Sequence, residues 1–427
     1  TRSGFTWKPI GAESQKVHML SYESGKQLIL ENVQPLEIEN RPLSQSRGFA
    51  LAGDIIASHP MPLFNNSAVD GYAVRSEDLE QSSGSARTRL KNLGYLYAGV
   101  PELIELGQGC CVQIATGAPV PDSADAVVMK EDVELDGDEV IFKQPIAPQE
   151  NVRFQGEDIA EGKMMLPSGI EIGSAQLALL ATFGHAQVPV FRKPSVSIIS
   201  TGNELVDVDR QPEPGQIRES NRFMLEGLVR EAGCDVDRVL MVPDDPLKLK
   251  AEFEAAMDSD VILISGGMSV GDHDFAKPLL KELGVEEIFW KVSVKPGKPL
   301  FFGKLEKSLI FGLPGNPASS YVIFMEFTLP ALRRMRGCRL LEKDWVEARL
   351  SDAVPPGISR LHLMRGQLNA QGKEYRVRPL PFQGSHSISS LVEANALIWI
   401  DPHSPAMPAG TPVKVRPLDN EIVMEPF

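Results

Sequence analysis

The sequence predicts a multidomain α/β and β protein whose centre is a three-layer α/β domain with a mostly parallel sheet. Three observations carry that prediction. From Pro194 onward, apolar strand-like runs alternate with amphipathic helix-like runs, the pattern of parallel strands with helices on both faces. From His59 to Gln149, short runs such as YAGV, CCVQIAT, AVVM and VIFK are separated by Gly, Pro and Asp, which reads as a β-rich unit with loops at its tips. At 427 residues the chain also exceeds what one core ordinarily holds.

The elements follow in order. Residues 1–18 have no clear periodicity and are expected to form a flexible extension ahead of a start at Met19. A helix is predicted from Tyr22, where Leu28, Ile29, Leu30 and Val33 recur at helical spacing before Gln34-Pro35. A second helix, AQLALLATFG, follows the β-rich block, so the block (59–150) reads as an insertion in a discontinuous, helical and mixed first domain (19–58 and 151–193). The α/β domain (194–340) opens with the strand VSIIS and the helix SNRFMLEGLVREAG, stopped by Gly233. It continues with the strand CDVDRVLMV and the helix PLKLKAEFEAAM, entered at Pro246. VILIS, AKPLLKELG, EIFWKVSV, PLFFG, SLIFG and a helix after Asn316 complete it. The last part, 341–427, has short strands, prolines and no long helix, and is expected to be a small C-terminal β domain.

Charge and composition exclude several classes. A net charge of −14 opposes nonspecific binding to nucleic acid or to an anionic membrane, so an anionic ligand needs a local basic site. Four cysteines without a CxxC pair argue against a disulfide framework or structural zinc. No apolar run is long enough to span a bilayer and the start lacks a signal-peptide core, so a cytoplasmic protein is expected. A GxxxxGK[ST] phosphate loop, GxGxxG and HExxH are all missing.

Polar clusters follow the predicted strands of the α/β domain, where such sheets bind ligands. Thr201-Gly202-Asn203-Glu204 follows VSIIS, Pro243-Asp244-Asp245 follows VLMV, and Ser265-Gly266-Gly267-Met268-Ser269-Val270-Gly271-Asp272-His273-Asp274 follows VILI. Alone, each carboxylate reads as well as a loop or cap residue, Asp244 ahead of Pro246 being the example. Together, Glu204, Asp244 and Asp274 on one rim suit Mg²⁺, which takes oxygen ligands and completes its sphere with substrate phosphates. Gly266, Gly267 and Gly271 would let backbone NH groups approach a phosphate or a ring. Gly312 to Ser320 leads from strand to helix with Asn316 as cap and Pro317 in the first turn, a second cradle for an oxyanion. Lys295 and Lys298, in a stiff KPGKP loop, are candidate phosphate or oxyanion contacts. His273 fits a hydrogen-bonding or surface role better than metal ligation. Asn65 to Ala73 and Thr116 to Pro121 are turn-rich segments that read equally as plain loops.

NNSAVDGYAVR, IATGAPVPDSADAVVMKED, VRFQGEDIAEG, ISTGNEL, GQIRESN, SGGMSVGDHDF, KPGKPLFFG and GLPGNPASS, in this order over residues 20–335, resemble the molybdopterin molybdotransferase family, which includes the E domain of gephyrin. GSHSISSLVEANAL resembles the family's last domain less distinctively. The resemblance implies a four-domain homodimer whose active site lies between the α/β domain and the inserted domain of the other subunit. It implies a reaction that takes adenylylated molybdopterin and molybdate, cleaves the phosphoanhydride with Mg²⁺, and yields molybdenum cofactor and AMP, with an upstream pterin adenylyltransferase as a further partner. Residue by residue it suggests Asp70, Thr116 and Asp158 as catalytic with Glu204, Asp244 and Asp274. Arg153, Gly266, Gly267, Ser269, Lys295, Lys298, Pro314 and Pro317 would bind the cofactor and its phosphates. The chain departs from the family pattern at Asn66 and Glu219, each standing where Asp is common. Two rival functions share the resemblance: adenylylation of the pterin itself, and a scaffold that anchors a partner.

Overall fold

The computed structural model describes residues 19–80, 87–99, 104–267 and 276–418. Residues 1–18 and Ser269, Gly271, Asp272, His273 and Asp274 lie outside these, with the expectations placed on them. The described residues fall into two compact units, one made of Gly53–Ser168 with Ala175–Ala186, the other of the remainder.

The smaller unit is built on a six-stranded sheet. Its order is Ala126–Met129, Gly71–Val74, Cys110–Ile114, Thr88–Leu96, Glu139–Phe142, Val133–Asp136. Gly71–Val74 is buried along its whole length because both faces are covered: Tyr72 and Val74 pack with Phe142, Ala73 with Leu96 and Ile114. Three strand-like runs are strands, but Tyr97–Gly99, the described part of YAGV, is not; the strand there is the preceding Thr88–Leu96, whose mixed polar composition hid it, and Gly99 turns the chain with φ +81°.

In the larger unit, helix α1 (Tyr22–Glu31) is capped by the Ser21 hydroxyl, which accepts from the Ser24 NH at 3.1 Å. It ends earlier than its apolar spacing predicts, and buried Val33 packs from beyond its end. The α/β domain runs β1 (Ser195–Thr201), α2 (Asn221–Glu231), β2 (Asp235–Val242), α3 (Pro246–Ala256), β3 (Val261–Ser265), α4 (Ala276–Glu282), β4 (Glu286–Trp290), β5 (Phe301–Leu305), β6 (Ser308–Leu313) and α5 (Pro317–Ile323). The sheet order is β2-β1-β3-β6-β5-β4, parallel from β2 to β6 and antiparallel at β5 and β4. The antiparallel pair follows from chain length: only Glu306 and Lys307 separate β5 from β6, enough for a hairpin and far too few for a crossover. Helix α5 passes through a π turn, Phe324–Thr328, into α6 (Leu329–Met335).

EIFWKVSV is split rather than one strand. Lys291 takes a left-handed backbone, φ +80°, and Val294–Lys295 leaves the α/β sheet to pair in parallel with Leu361–His362. Those residues begin the second strand of the C-terminal barrel, formed by β7 (Val346–Leu350), β8 (Leu361–Gln371), β9 (Glu374–Pro379), β10 (Ala396–Ile400) and β11 (Pro412–Pro417). Pairing of β8 with both β9 and β10 closes the sheet. One strand, β8, reaches 11 residues where short strands were expected. Among the described residues no helix is long and apolar enough to cross a membrane.

Candidate active site

The strand order β2-β1-β3 means the chain leaves β1 toward one side of the sheet and returns for β3 on the other. The crevice beyond β1 and β3 is therefore a topological switch point. A cleft of about 710 Å³ opens there, with Thr201, Glu204, Asp244, Gly266 and Gly267 among its walls, and Pro314 and Pro317 on the far side. Gly266 has φ +97°, and a Cβ at that position would lie 2.2 Å from the Thr201 carbonyl oxygen. The close approach of β1 and β3 thus requires glycine.

Asp244 and Asp245 divide the work that the sequence left undecided. Asp245 caps α3, accepting from the NH groups of Leu247 and Lys248, which releases Asp244 from that role. Asp244 instead accepts from the Thr201 hydroxyl at 2.7 Å and the Asn203 NH at 3.2 Å, while its own NH donates to the Asn203 side chain at 3.1 Å. Glu204 is exposed on the same wall, its carboxylate folded back over Gly202. Among the described residues no three His, Cys, Asp or Glu groups are gathered for a metal. Glu204 and Asp244 still fit Mg²⁺, which uses one or two carboxylates and keeps several waters.

Asn221, to which the sequence assigned no role, and Glu219, marked there only as a departure from the family pattern, shape this cleft. Asn221, at the start of α2, donates to the Ser265 hydroxyl at 2.9 Å and the Gly315 carbonyl at 2.7 Å, tying the ends of β3 and β6 together. Its carbonyl oxygen is buried without a protein partner, an acceptor available to a ligand NH. Glu219 accepts from the Ser200 hydroxyl and from the Arg222 NH, so glutamate here performs the helix-capping role.

A second pocket, about 520 Å³, adjoins the first through the shared residues Pro299, Pro314 and Asn316. Lys295, Lys298 and Arg360 line it together with Ser319 and Ser385, and none of its lining residues is acidic. Gly297 draws the lysine loop against α5, since a Cβ there would lie 2.3 Å from Ile323 Cγ1. Asn316 holds the N-cap position of α5 but does not cap with its side chain, which donates to the Ser385 hydroxyl at 3.0 Å. The Ala318 NH donates to the Ser385 carbonyl, so that helix-start donor is taken. Arg360 and Ser385 come from the C-terminal part, Arg360 without a local motif and Ser385 within the GSHSISSLVEANAL stretch, and the fold brings both to the lysines.

In the smaller unit, Asp70 and Thr116 meet. One Asp70 oxygen accepts from both the Thr116 NH and its hydroxyl at 2.8 Å, and the other faces Lys130 at 3.4 Å. The Thr116 hydrogen bonds, with Lys130 assisting, hold the Asp70 carboxyl below its ordinary range. Gly71 beside it is obligatory, as a Cβ would lie 2.0 Å from the Val128 carbonyl oxygen. Arg153 is exposed on a two-residue strand paired with Asn66–Ser67, and Asp158 is exposed with its NH donated to Met61.

Comparison with known proteins follows this architecture segment by segment. Residues 20–184 match the family described as MoeA N-terminal region (domain I and II), 197–334 the Probable molybdopterin binding domain, and 347–418 the MoeA C-terminal region (domain IV). A Haemophilus influenzae protein named molybdopterin molybdenumtransferase is 36% identical over 412 residues, covering 94% of this chain and 99% of that protein. The chain belongs to the molybdopterin molybdenumtransferase family. The Synechococcus elongatus molybdopterin molybdenumtransferase is 35% identical over 409 residues, covering 94% of this chain and 100% of its own. A crystal structure described as the molybdopterin biosynthesis moeA protein from Pyrococcus horikoshii OT3 superposes with a TM-score of 0.79 at 31% identity, over 93% of this chain and 100% of that one. The chain is thus a transferase family member of molybdenum cofactor biosynthesis, and the switch-point cleft is lined by the segment matched to the family's molybdopterin binding domain, with His386 and Ile388 added from the C-terminal region.

Proposed function

We propose that this chain takes adenylylated molybdopterin and molybdate, cleaves the phosphoanhydride with Mg²⁺, and releases molybdenum cofactor and AMP, in the cytoplasm. The observation that supports this reading is the pairing of two pockets across one wall: a carboxylate-bearing cleft at the switch point, and a pocket lined by Lys295, Lys298 and Arg360 without an acid. A phosphoanhydride needs a cation held by acids, whereas a tetrahedral oxyanion needs fixed donors and positive charge. Adjacency lets both substrates be held at once, which is where proximity contributes most to rate.

In this reading Glu204, Asp244 and Asp274 are the magnesium ligands. The ion, when bound, would screen the phosphates and polarise the bridging bond. Gly266, Gly267, Ser269 and Asn221 receive the pterin and its phosphates; Pro314 and Pro317 shape the cleft; Lys295, Lys298, Arg360 and Ser385 receive molybdate. Asp70, Thr116, Arg153 and Asp158 act from a second copy of the chain in a homodimer, and an upstream pterin adenylyltransferase supplies the adenylylated substrate. The division into 19–58 with 151–193, 59–150, 194–340 and 341–427 belongs to the same proposal. The test is AMP release from preformed adenylylated molybdopterin with Mg²⁺ and molybdate. Glu204→Gln and Asp274→Asn should fold and lose molybdate-dependent AMP release; full activity in both would remove the site from consideration.

A further inference from the structure

One wall of the basic pocket is an irregular barrel segment that follows β9. Gln383, Gly384 and Ser385 of this segment line the basic pocket, and His386 and Ile388 line the neighbouring cleft. No ladder holds the segment; beside the backbone bond from Ala318 to Ser385 it is tied by side chains, Arg365 on β8 making three of those bonds. Arg365 is wholly buried. Its Nε donates to the Ser390 hydroxyl at 2.6 Å, and Nη2 donates to the carbonyls of Phe382 at 3.1 Å and Gly384 at 3.0 Å. Its backbone exchanges hydrogen bonds with the Gln383 side chain, receiving at 2.8 Å and donating at 3.0 Å.

Every acceptor of that guanidinium is neutral, and its Nη1 is buried without a partner. Burial alone pulls its pKa down to about 10, with no carboxylate opposing it, so it stays charged near neutral pH. Buried charges ordinarily carry a paired counter-charge, and this one has none among the described residues. It also stands near the basic pocket: His362, on the same strand, feels Lys295, Arg365 and Arg360 together.

We propose that Arg365 is a positioning residue serving the basic pocket in two separable ways. Its hydrogen bonds fix the wall that carries Ser385, and its unneutralised buried charge makes the pocket favour doubly charged over singly charged tetrahedral oxyanions. This rests on the reading of that pocket as the molybdate site. The physical reason is that Coulomb energy scales with ligand charge, and a charge inside the protein is screened far less by salt than the exposed Lys298. At the separations of a neighbouring side chain, removing the charge weakens a monoanion about threefold and a dianion about tenfold.

The experiment is titration of the full chain with molybdate and with perrhenate, a tetrahedral monoanion of similar size, at fixed ionic strength. Arg365→Met should lower both affinities and cut the molybdate-to-perrhenate preference about threefold. Arg365→Lys and Ser390→Ala should weaken both anions in equal proportion and keep the preference, because the charge remains while anchors are lost. A preference unchanged in Arg365→Met, or altered in Arg365→Lys, overturns the proposal. If methionine prevents folding, Arg365→Gln carries the same expectation, with a hydrogen-bonding group retained. Wild-type protein that binds neither anion would instead overturn the molybdate reading of the pocket, a result distinct from binding with an unmoved preference.

Discussion

Gly266→Ala tests whether the close approach of β1 and β3 is what assembles the acidic wall. The added methyl would lie 2.2 Å from the Thr201 carbonyl oxygen, so that backbone must withdraw by about 1 Å to reach ordinary contact distance. The residue also has φ +97°, where a side chain adds strain of about 1–3 kcal/mol. Thr201 donates to Asp244 at 2.7 Å, and a shift of about 1 Å takes that contact beyond hydrogen-bonding range. The expected result is a stability loss of about 2–4 kcal/mol and a fall in AMP release of about a hundredfold. If molybdate occupies the adjoining pocket as proposed, its affinity should change by less than about twofold. Gly215→Ala is the control: it has φ +90° but open space around the new Cβ, so it carries strain without the clash and should keep its activity. Urea unfolding, AMP release and molybdate titration on both variants separate the effects. Activity of Gly266→Ala within threefold of wild type would refute the reasoning.

Further predictions concern the supports of the site. Burial first, then Lys295, Arg365 and Arg360, push His362 down to about 4 from an ordinary 6.5. The unfolded chain therefore takes up a proton that the folded chain refuses, and stability falls as pH drops from about 6.5 to 4, by up to about 3 kcal/mol. His362→Gln should flatten that slope in urea unfolding at pH 7, 5.5 and 4.5; parallel slopes would count against it. Asp260 accepts from both terminal nitrogens of Arg192, at 2.6 and 2.9 Å, and from the NH and hydroxyl of Ser195. Although burial opposes its charge, these donors hold its carboxyl below the ordinary range, so its contribution is present above about pH 4 and disappears as pH falls through its folded value. Asp260→Asn should cost about 2 kcal/mol at pH 7, discounted for the partly exposed Arg192, and an unchanged melting temperature would contradict this. Gly297→Ala, meeting Ile323 at 2.3 Å, should lift the lysine loop and weaken molybdate binding about tenfold in titration.

The α/β alternation was legible because buried parallel strands such as Val261–Ser265 are unbroken apolar runs, distinct from the amphipathic helices around them. The hairpin turning β5 into β6 was legible only as two strands, since direction depends on the two residues left to join them. Glu204, Asp244, Gly266, Gly267, Pro314 and Pro317 share one cleft, and Lys295 and Lys298 share the next. Their positions after predicted strands were visible because strand ends are set locally. Arg365 was not visible, because an arginine on a strand looks the same whether it faces solvent or a closed barrel; Arg360 sits in a bend just before that strand, and Ser385 lay in the GSHSISSLVEANAL stretch with nothing local to assign it to the lysines. Asn221 was hidden by its place in a helix start, where asparagine is ordinary; its hydrogen bonds to Ser265 and Gly315 exist only once three elements have converged.

Because Val294–Lys295 is hydrogen-bonded to Leu361–His362, the ammonium groups are covalently part of one module while their seat is fixed by another. A chimaera that exchanges the barrel at residue 340 would inherit lysines from one parent and their scaffold from its donor. The two-residue ladder, with the bonds from Asn316 and Ala318 to Ser385, then decides whether the transplanted halves keep the lysines beside Arg360 and Ser385.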